Sequence, residues 1–132
     1  MIESYIFIAD DDQEDTSMLV DGIRAVRPGV AIKTVDDGRA AVEFLEKCDA
    51  ANLPSLIVLD YKMPFLNAAD VLLIITEQSQ LAGIPKLVWS TSMQPKDAAA
   101  CVGRGATDYI QKPASQAELR IIVERVIRLG NF

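Results

Sequence analysis

Five short apolar runs alternate along the chain with longer stretches in which apolar residues recur every three or four positions. The apolar runs predict five strands, at Tyr5–Ala9, 30–35, 56–59, 86–89 and Asp108–Gln111. The amphipathic stretches predict five helices, at 14–26, 38–47, 67–82, 96–102 and 115–129. Strands that alternate with helices in this way are typical of βα units around a parallel sheet. The pattern therefore predicts an α/β fold built as (βα)5.

Two of the predicted helices begin with the spacing of a capping box, in which two side chains bond each other's backbone N–H groups. Asn67 and Asp70 have this spacing at the third helix, although the motif prefers Ser or Thr followed by Glu or Gln. Ser115 and Glu118 match the preferred residue types at the last helix. We therefore expect both helices to begin at these residues.

Polar residues stand where four of the five predicted strands end. The first strand is followed by three acids, the third by one acid, the fourth by a serine and the fifth by a lysine, at Asp10–Asp12, Asp60, Ser90 and Lys112. In an open α/β sheet, ligands bind outside the carboxyl ends of the strands. The sequence therefore predicts a binding site at this edge of the sheet.

The grouped aspartates indicate a divalent cation. At about 4 Å and an effective dielectric constant of about 20, each pair of like charges costs roughly 4 kcal/mol. Mg²⁺ relieves this repulsion with oxygen ligands and keeps open positions for a phosphoryl oxygen, whereas metals that prefer nitrogen or sulfur find no suitable ligands. Next to the metal, a lysine and a hydroxyl, Asp60 could attack phosphorus and form an aspartyl phosphate.

Composition excludes several other classes. The chain has 132 residues, 50% of them hydrophobic, which predicts one globular domain. A formal net charge of −6 argues against nucleic-acid binding. The sequence has no histidine, which excludes Ser-His-Asp and Cys-His catalysis in this chain and any role as a phosphohistidine carrier. Cys48 and Cys101 are expected to be reduced core residues.

Four segments together resemble the receiver domain of bacterial two-component response regulators. They are "IFIADDD", "LIVLDYKMP", "LVWSTS" and "GATDYIQKP", and they occur in the family's order. The spacings also fit, with Ser90 30 residues after Asp60 and Lys112 22 residues after Ser90. The acids of "DDQED" resemble those of compact, stand-alone receivers, some of which are paired with phytochrome-type kinases. The resemblance covers the whole chain and implies a flavodoxin-like strand order, 2-1-3-4-5.

The resemblance also implies a role for each residue of the strand ends. Asp60 would be the phosphoacceptor. Asp11 would ligate Mg²⁺ directly, Asp10 would hold metal-bound water, and the backbone carbonyl of Lys62 would be a further ligand.

The phosphoryl oxygens would be bound by the Ser90 hydroxyl and the Lys112 ammonium. Ser90 and Tyr109 would form the switch, in which the aromatic ring changes rotamer. The Lys112–Pro113 peptide would be cis, as in the family.

The sequence departs from the family pattern at several positions. Ser90 replaces the usual threonine, and Thr91 stands where alanine is common and is expected to restrict access to Asp60. Trp89 is large for a buried strand end. Lys62 and Ser92 occupy the positions that tune the lifetime of the aspartyl phosphate.

Three further acids have a simpler interpretation. Asp12, Glu14 and Asp15 lie at the start of the first predicted helix, where the helix dipole favours negative charge. They are expected to have no part in the chemistry.

Alternative functions remain open on the sequence alone. Asp10-x-Asp12 resembles the first motif of haloacid dehalogenase-type phosphatases, in which the first aspartate is the nucleophile. A receiver fold could also act as an interaction module without phosphorylation. A flavin-binding flavodoxin is disfavoured because its phosphate loop would hardly be a run of acids.

Taken with the resemblance, the sequence predicts a cytoplasmic phosphoacceptor regulator rather than a conventional enzyme, with magnesium-dependent self-phosphorylation and slow self-dephosphorylation. The expected phosphodonor is a sensor histidine kinase or a histidine phosphotransfer protein, and the output is a contact with a downstream protein. Residues 1–132 are expected to form a single receiver domain without an output domain, a nucleic-acid site or a membrane segment. A homodimer is possible through the face formed by the fourth helix, fifth strand and fifth helix.

Overall fold

The structure is a computed structural model that describes residues 4–132. Its five strands form one parallel sheet in the order β2-β1-β3-β4-β5. The strands are β1 (Tyr5–Ala9), β2 (Ala31–Val35), β3 (Leu56–Asp60), β4 (Lys86–Ser90) and β5 (Asp108–Gln111). The helices are α1 (Gln13–Val26), α2 (Gly38–Glu46), α3 (Ala68–Ile75), α4 (Ser79–Ala82), α5 (Pro95–Gly103) and α6 (Gln116–Leu129). The predicted α/β fold and strand order are confirmed.

The sheet is covered on both faces because successive residues of a strand point to opposite sides. Phe7 and Ala9 of β1 pack in a cluster with residues of α2, α3 and α5. Ile6 and Ile8 pack in a second cluster with residues of α1 and α6. The central strands β3 and β4 are buried along their whole length. A ligand can therefore approach them only at the edge of the sheet where their carboxyl ends lie.

The two central strands extend one residue further than the sequence predicts. Asp60 and Ser90 are the last residues of β3 and β4, whereas the apolar runs end at residues 59 and 89. Pairing of Asp60 with Trp89 and of Ser90 with Gln111 continues the ladder through these polar residues. Backbone hydrogen bonds of the sheet therefore fix their positions.

The single helix predicted over residues 67–82 is wrong. Helix α3 ends at Ile75, with the hydroxyl of Thr76 donating to the carbonyl of Leu72 at 2.6 Å, and the extended backbone of Gln78 separates it from α4. The break turns Leu81 into the core, where it is fully buried. The prediction failed because tertiary packing of one leucine outweighed the local helical periodicity.

The third helix begins as the capping box predicts. Asn67 accepts a hydrogen bond from the backbone of Asp70, and Asp70 accepts one from the backbone of Asn67. At α6, only half of the predicted box forms: Ser115 accepts from the backbone of Glu118, but the Glu118 carboxylate accepts from the N–H of Ala114 instead.

The loop that follows β3 is held against the start of α2. Phe65 has a φ of 72°, an uncommon conformation for a residue with a side chain. Gly38 donates its N–H to the carbonyl of Pro64 at 3.3 Å, and a Cβ at this position would collide with the backbone of Leu66. Glycine is therefore required at position 38 so that the loop beside Asp60 can approach.

No helix in the described range 4–132 is both long enough and apolar enough to cross a membrane.

Candidate functional site

The structure brings the predicted strand-end residues together at the carboxyl edge of the sheet. Asp10 follows β1, Asp60 ends β3 and Ser90 ends β4, and all three are at most 6% exposed. Lys112 follows β5, and its backbone N–H donates to the carbonyl of Ser90 at 2.7 Å. The parallel topology therefore places two acids, a hydroxyl and an amine from four different segments in one site.

Three carboxylates form a compact group within this site. Asp10, Asp11 and Asp60 each offer an oxygen atom, and these atoms lie within 4.8 Å of one another. Oδ1 of Asp10 accepts a hydrogen bond from the backbone of Asp12 at 2.8 Å, and its buried Oδ2 forms an ion pair with Lys112. Asp11 is exposed, so the group is open to solvent on one side.

Burial and charge make Asp60 an unusual acid. Burial raises the pKa of Asp60, the negative charge of Asp10 raises it further, and the nearby Lys112 ammonium lowers it in part. The resulting pKa is about 7. Burial and the neighbouring Asp10 therefore both disfavour the ionised form of Asp60, and a bound cation would favour it.

Lys112 is the principal positive charge of the site. Its Nζ lies 3.0 Å from Oδ2 of Asp10, 3.4 Å from Oδ1 of Asp60 and 2.7 Å from Oδ2 of Asp15. Burial alone would lower the pKa of Lys112, but Asp15 and Asp10 raise it above its ordinary value. The same ammonium lies 5.1 Å from the centroid of the Trp89 ring. Lys112 is therefore a charged donor held close to Asp60.

The predicted switch residues lie next to this charged group. Oγ of Ser90 lies 3.4 Å from the backbone nitrogen of Ser92, which donates to it. Tyr109 is 7% exposed, its hydroxyl has no hydrogen-bond partner in residues 4–132, and burial raises its pKa. The Tyr109 ring therefore points inward in this structure.

Tyr61 connects the phosphoacceptor strand to helix α5. Its ring packs edge-on to that of Tyr109, with centroids 6.1 Å apart, and its hydroxyl donates to Oδ1 of Asp97 at 3.1 Å. Burial and then the Asp97 carboxylate raise the pKa of Tyr61 to about 12. The residue that follows Asp60 is thus tied to the first turn of α5.

Two expectations from the sequence are corrected here. Residues 4–132 contain no cis peptide bond, so Lys112–Pro113 is trans, and Lys112 reaches Asp10 and Asp60 in that conformation. Asp15, expected to act only at the start of the helix, is also a close partner of Lys112. Its position in the first turn of the helix after β1 was the available signal, because that turn begins at the site.

The chain matches known proteins over nearly its whole length. The sequence model of the response regulator receiver domain matches residues 6–124. The rice (Oryza sativa subsp. japonica) two-component response regulator ORR7 is 31% identical over 124 residues, which are 94% of this chain and 57% of that protein. This chain therefore spans little more than half of that relative. It covers 92% of the rice (subsp. indica) regulator ORR3, at 27% identity.

Solved structures show the same fold. The phosphorylated cyanobacterial phytochrome response regulator RcpA superposes with a TM-score of 0.87 at 26% identity, covering 98% of this chain and 94% of that one. The Mn²⁺-bound form of response regulator Rcp1 gives a TM-score of 0.82 at 24% identity, over 94% and 91% of the two chains. The predicted resemblance is therefore confirmed, and this chain belongs to the response regulator receiver domain family of two-component systems.

Proposed function

We propose that this protein is a magnesium-dependent phosphoacceptor switch in which Asp60 accepts a phosphoryl group from a phosphohistidine of a partner protein. One observation carries the proposal. The Asp60 carboxylate, 4% exposed at the end of β3, lies 3.4 Å from the Lys112 ammonium and within 4.8 Å of oxygens from Asp10 and Asp11. This arrangement provides a nucleophile, a cation site and a donor for phosphoryl oxygens.

The carboxylate group fits a hard divalent cation. The clustered oxygens of Asp10, Asp11 and Asp60 would hold it, together with the backbone carbonyl of Lys62. An all-oxygen set favours Mg²⁺ over metals that prefer nitrogen or sulfur. Bound Mg²⁺ would offset the repulsion among the carboxylates and stabilise negative charge on phosphoryl oxygens.

The transfer itself uses the residues of this chain. An oxygen of the ionised Asp60 carboxylate forms a bond to phosphorus, and the bond from phosphorus to the donor's imidazole nitrogen breaks, leaving its electron pair on the imidazole. The Lys112 ammonium and the Ser90 hydroxyl donate hydrogen bonds to the phosphoryl oxygens. Water later cleaves the acyl phosphate, and small phosphodonors can replace the protein donor.

The signal would leave the site through Ser90 and Tyr109. Tyr109 packs against Tyr61 and belongs to β5, a strand of the face formed by α5, β5 and α6, where Val102 and Ile121 are exposed apolar residues. A downstream protein or a second copy of the chain would contact this face. The similarity to a phytochrome response regulator supports testing a phytochrome-type histidine kinase as phosphodonor.

The test is covalent labelling with acetyl phosphate and Mg²⁺, followed by intact-mass spectrometry and peptide mapping. We expect one phosphate on Asp60 in the wild type and in the control variant Asp21→Asn, which changes an exposed acid of α1. No phosphate should be found in Asp60→Asn.

A phosphate that persists in Asp60→Asn and disappears in Asp10→Asn would instead support the phosphatase alternative. Because Thr91 is expected to restrict access, an unlabelled wild type should next be offered a phosphorylated histidine kinase. Failure with both donors would favour a phosphorylation-independent interaction module.

A further inference from the structure

Lys112 has a partner that the proposed chemistry does not use. Oδ2 of Asp15, in the first turn of α1, accepts a hydrogen bond from Nζ of Lys112 at 2.7 Å. This contact is shorter than those of the same ammonium with Asp10, at 3.0 Å, and Asp60, at 3.4 Å. It joins residues 97 positions apart in the sequence, so it links the start of α1 to the end of β5.

Asp15 differs from the other two carboxylates in its surroundings. Its side chain is 26% exposed, whereas those of Asp10 and Asp60 are 0% and 6% exposed. It also lies outside the group of Asp10, Asp11 and Asp60 that could hold a cation. If the proposed function is correct, those three carboxylates are occupied during the reaction, while Asp15 stays free to bind the lysine.

The occupied site is unfavourable for a free ammonium. A divalent cation among the carboxylates would repel Lys112, and phosphorylation would convert the Asp60 carboxylate into a mixed anhydride whose negative charge lies on the phosphoryl oxygens, so Lys112 would lose its present contact with the free carboxylate. A charge-assisted hydrogen bond to Asp15 opposes that repulsion at the distance already seen here. The Trp89 ring, whose centroid lies 5.1 Å from Nζ, adds a cation–π attraction to the ammonium.

We propose that Asp15 is the positioning residue of Lys112: it anchors the ammonium beside Asp60 so that Lys112 can bind a phosphoryl oxygen while the other carboxylates are occupied. The proposal rests on the proposed function and extends it to a residue whose position at the start of a helix suggested only a dipole interaction. Asp15 contacts neither the phosphoryl group nor the cation in this scheme, so its effect is on Lys112 alone.

The test compares Asp15→Asn with Glu14→Gln in binding beryllofluoride, a phosphoryl mimic, at saturating Mg²⁺. Glu14 is an exposed acid in the same helical turn, so its variant controls for the loss of one negative charge. Asp15→Asn should weaken beryllofluoride binding roughly tenfold relative to Glu14→Gln, as expected for the loss of a charged hydrogen bond. Fluorine NMR titration measures this affinity.

Two further measurements separate positioning from general damage. The Mg²⁺ affinity of Asp15→Asn, measured by calorimetry, should equal that of Glu14→Gln. Asp15→Glu restores the carboxylate and should recover part of the lost beryllofluoride affinity, and an Asp15→Glu variant as weak as Asp15→Asn would count against the proposal.

Equal beryllofluoride affinities of Asp15→Asn and Glu14→Gln would overturn the proposal. A tighter affinity in Asp15→Asn would also overturn it, because Asp15 would then compete with the phosphoryl group for Lys112. A wild-type protein that binds Mg²⁺ but neither beryllofluoride nor phosphate would refute the proposed function, and this proposal with it.

Discussion

Asp60 is a carboxylate in a position where, in the absence of a cation, an uncharged side chain would make the folded protein more stable. It is buried next to Asp10, and its pKa is about 7 instead of the ordinary 3.8. Such a raised pKa means that ionisation of Asp60 destabilises the folded protein. A perturbed acid at a strand end is typical of a functional residue, because stability alone would not retain it.

Replacing Asp60 with asparagine should therefore stabilise the metal-free protein at high pH. Between about pH 4 and pH 7 the folded wild type binds more protons than the unfolded chain, so its stability falls as the pH rises through this window. The gain in Asp60→Asn should be at most a few kcal/mol, reduced by solvent screening at the mouth of the site. It should be largest at pH 8 and small at pH 5.

Urea unfolding with EDTA at both pH values measures this difference, with Asp21→Asn as the control for a lost exposed charge. A gain of equal size at pH 5 and pH 8 would contradict a raised pKa of Asp60.

The sequence predicts some residues of the site better than others. Asp10, Asp60, Ser90 and Lys112 follow apolar runs, so their meeting at one sheet edge follows from parallel topology alone. The contact of Asp15 with Lys112 does not follow from the topology, because it depends on the orientation of the first turn of α1.

At the scale of elements, the segment between α3 and β4 is organised by a buried lysine. Lys86 is the first residue of β4 and is fully buried, and its ammonium donates to the carbonyls of Leu81 and Ile84, both at 2.7 Å, and of Ala82 at 3.3 Å. Burial lowers the pKa of Lys86. Its three donors satisfy carbonyls at the end of the short helix α4, a place that helices leave without internal partners.

Replacing Lys86 with methionine should destabilise the protein. The change removes the buried charge, which favours folding, but it leaves the carbonyls of Leu81 and Ile84 without these donors, and each unsatisfied group costs about 1–3 kcal/mol. We expect a net loss of about 2 kcal/mol.

Urea unfolding of Lys86→Met, compared with the exposed control Lys47→Met, measures this loss. A variant as stable as the wild type would show that the carbonyls find other partners, and that Lys86 does not hold this segment.

The helices and strands could be predicted where the spacing of apolar residues follows a single helical or strand period. All five strands and the long helices α1 and α6 lie within one or two residues of their predicted positions. The break between α3 and α4 was not predictable, because it depends on the burial of Leu81 and on the carbonyls that Lys86 binds. Both are tertiary contacts that a local pattern does not contain.

At the scale of the whole molecule, Tyr109 of β5 packs against Tyr61, the residue that follows Asp60, and β5 belongs to the proposed output face. The ring is buried, at 7% exposure. We expect a phosphoryl group on Asp60 to act by changing the populations of two states with which it interacts differently. The Ser90 hydroxyl is the group we expect to make that difference.

Ser90→Ala should therefore separate binding from response. The variant should still bind Mg²⁺ and beryllofluoride, because Asp60 and Lys112 remain. It should lose most of the amide chemical-shift changes that these ligands cause in the wild type at residues 98–102 and 106–110.

The control is Ser92→Ala, which removes an exposed hydroxyl two residues further on. Shift changes of wild-type size in Ser90→Ala would show that the hydroxyl does not couple the site to the α5–β5–α6 face.

The fluorescence of Trp89 should report movements of the Lys112 side chain. Trp89 is the only tryptophan in the chain, it is fully buried, and the ammonium of Lys112 lies 5.1 Å from the centre of its ring. The energy of an indole's excited state depends on the electric field of nearby charges, so any movement of this ammonium should change both the colour and the intensity of the emission. Stopped-flow measurement of tryptophan emission would thus follow the movement of Lys112 on the millisecond scale in unlabelled protein. The variant Trp89→Phe, which lacks tryptophan emission, is the control.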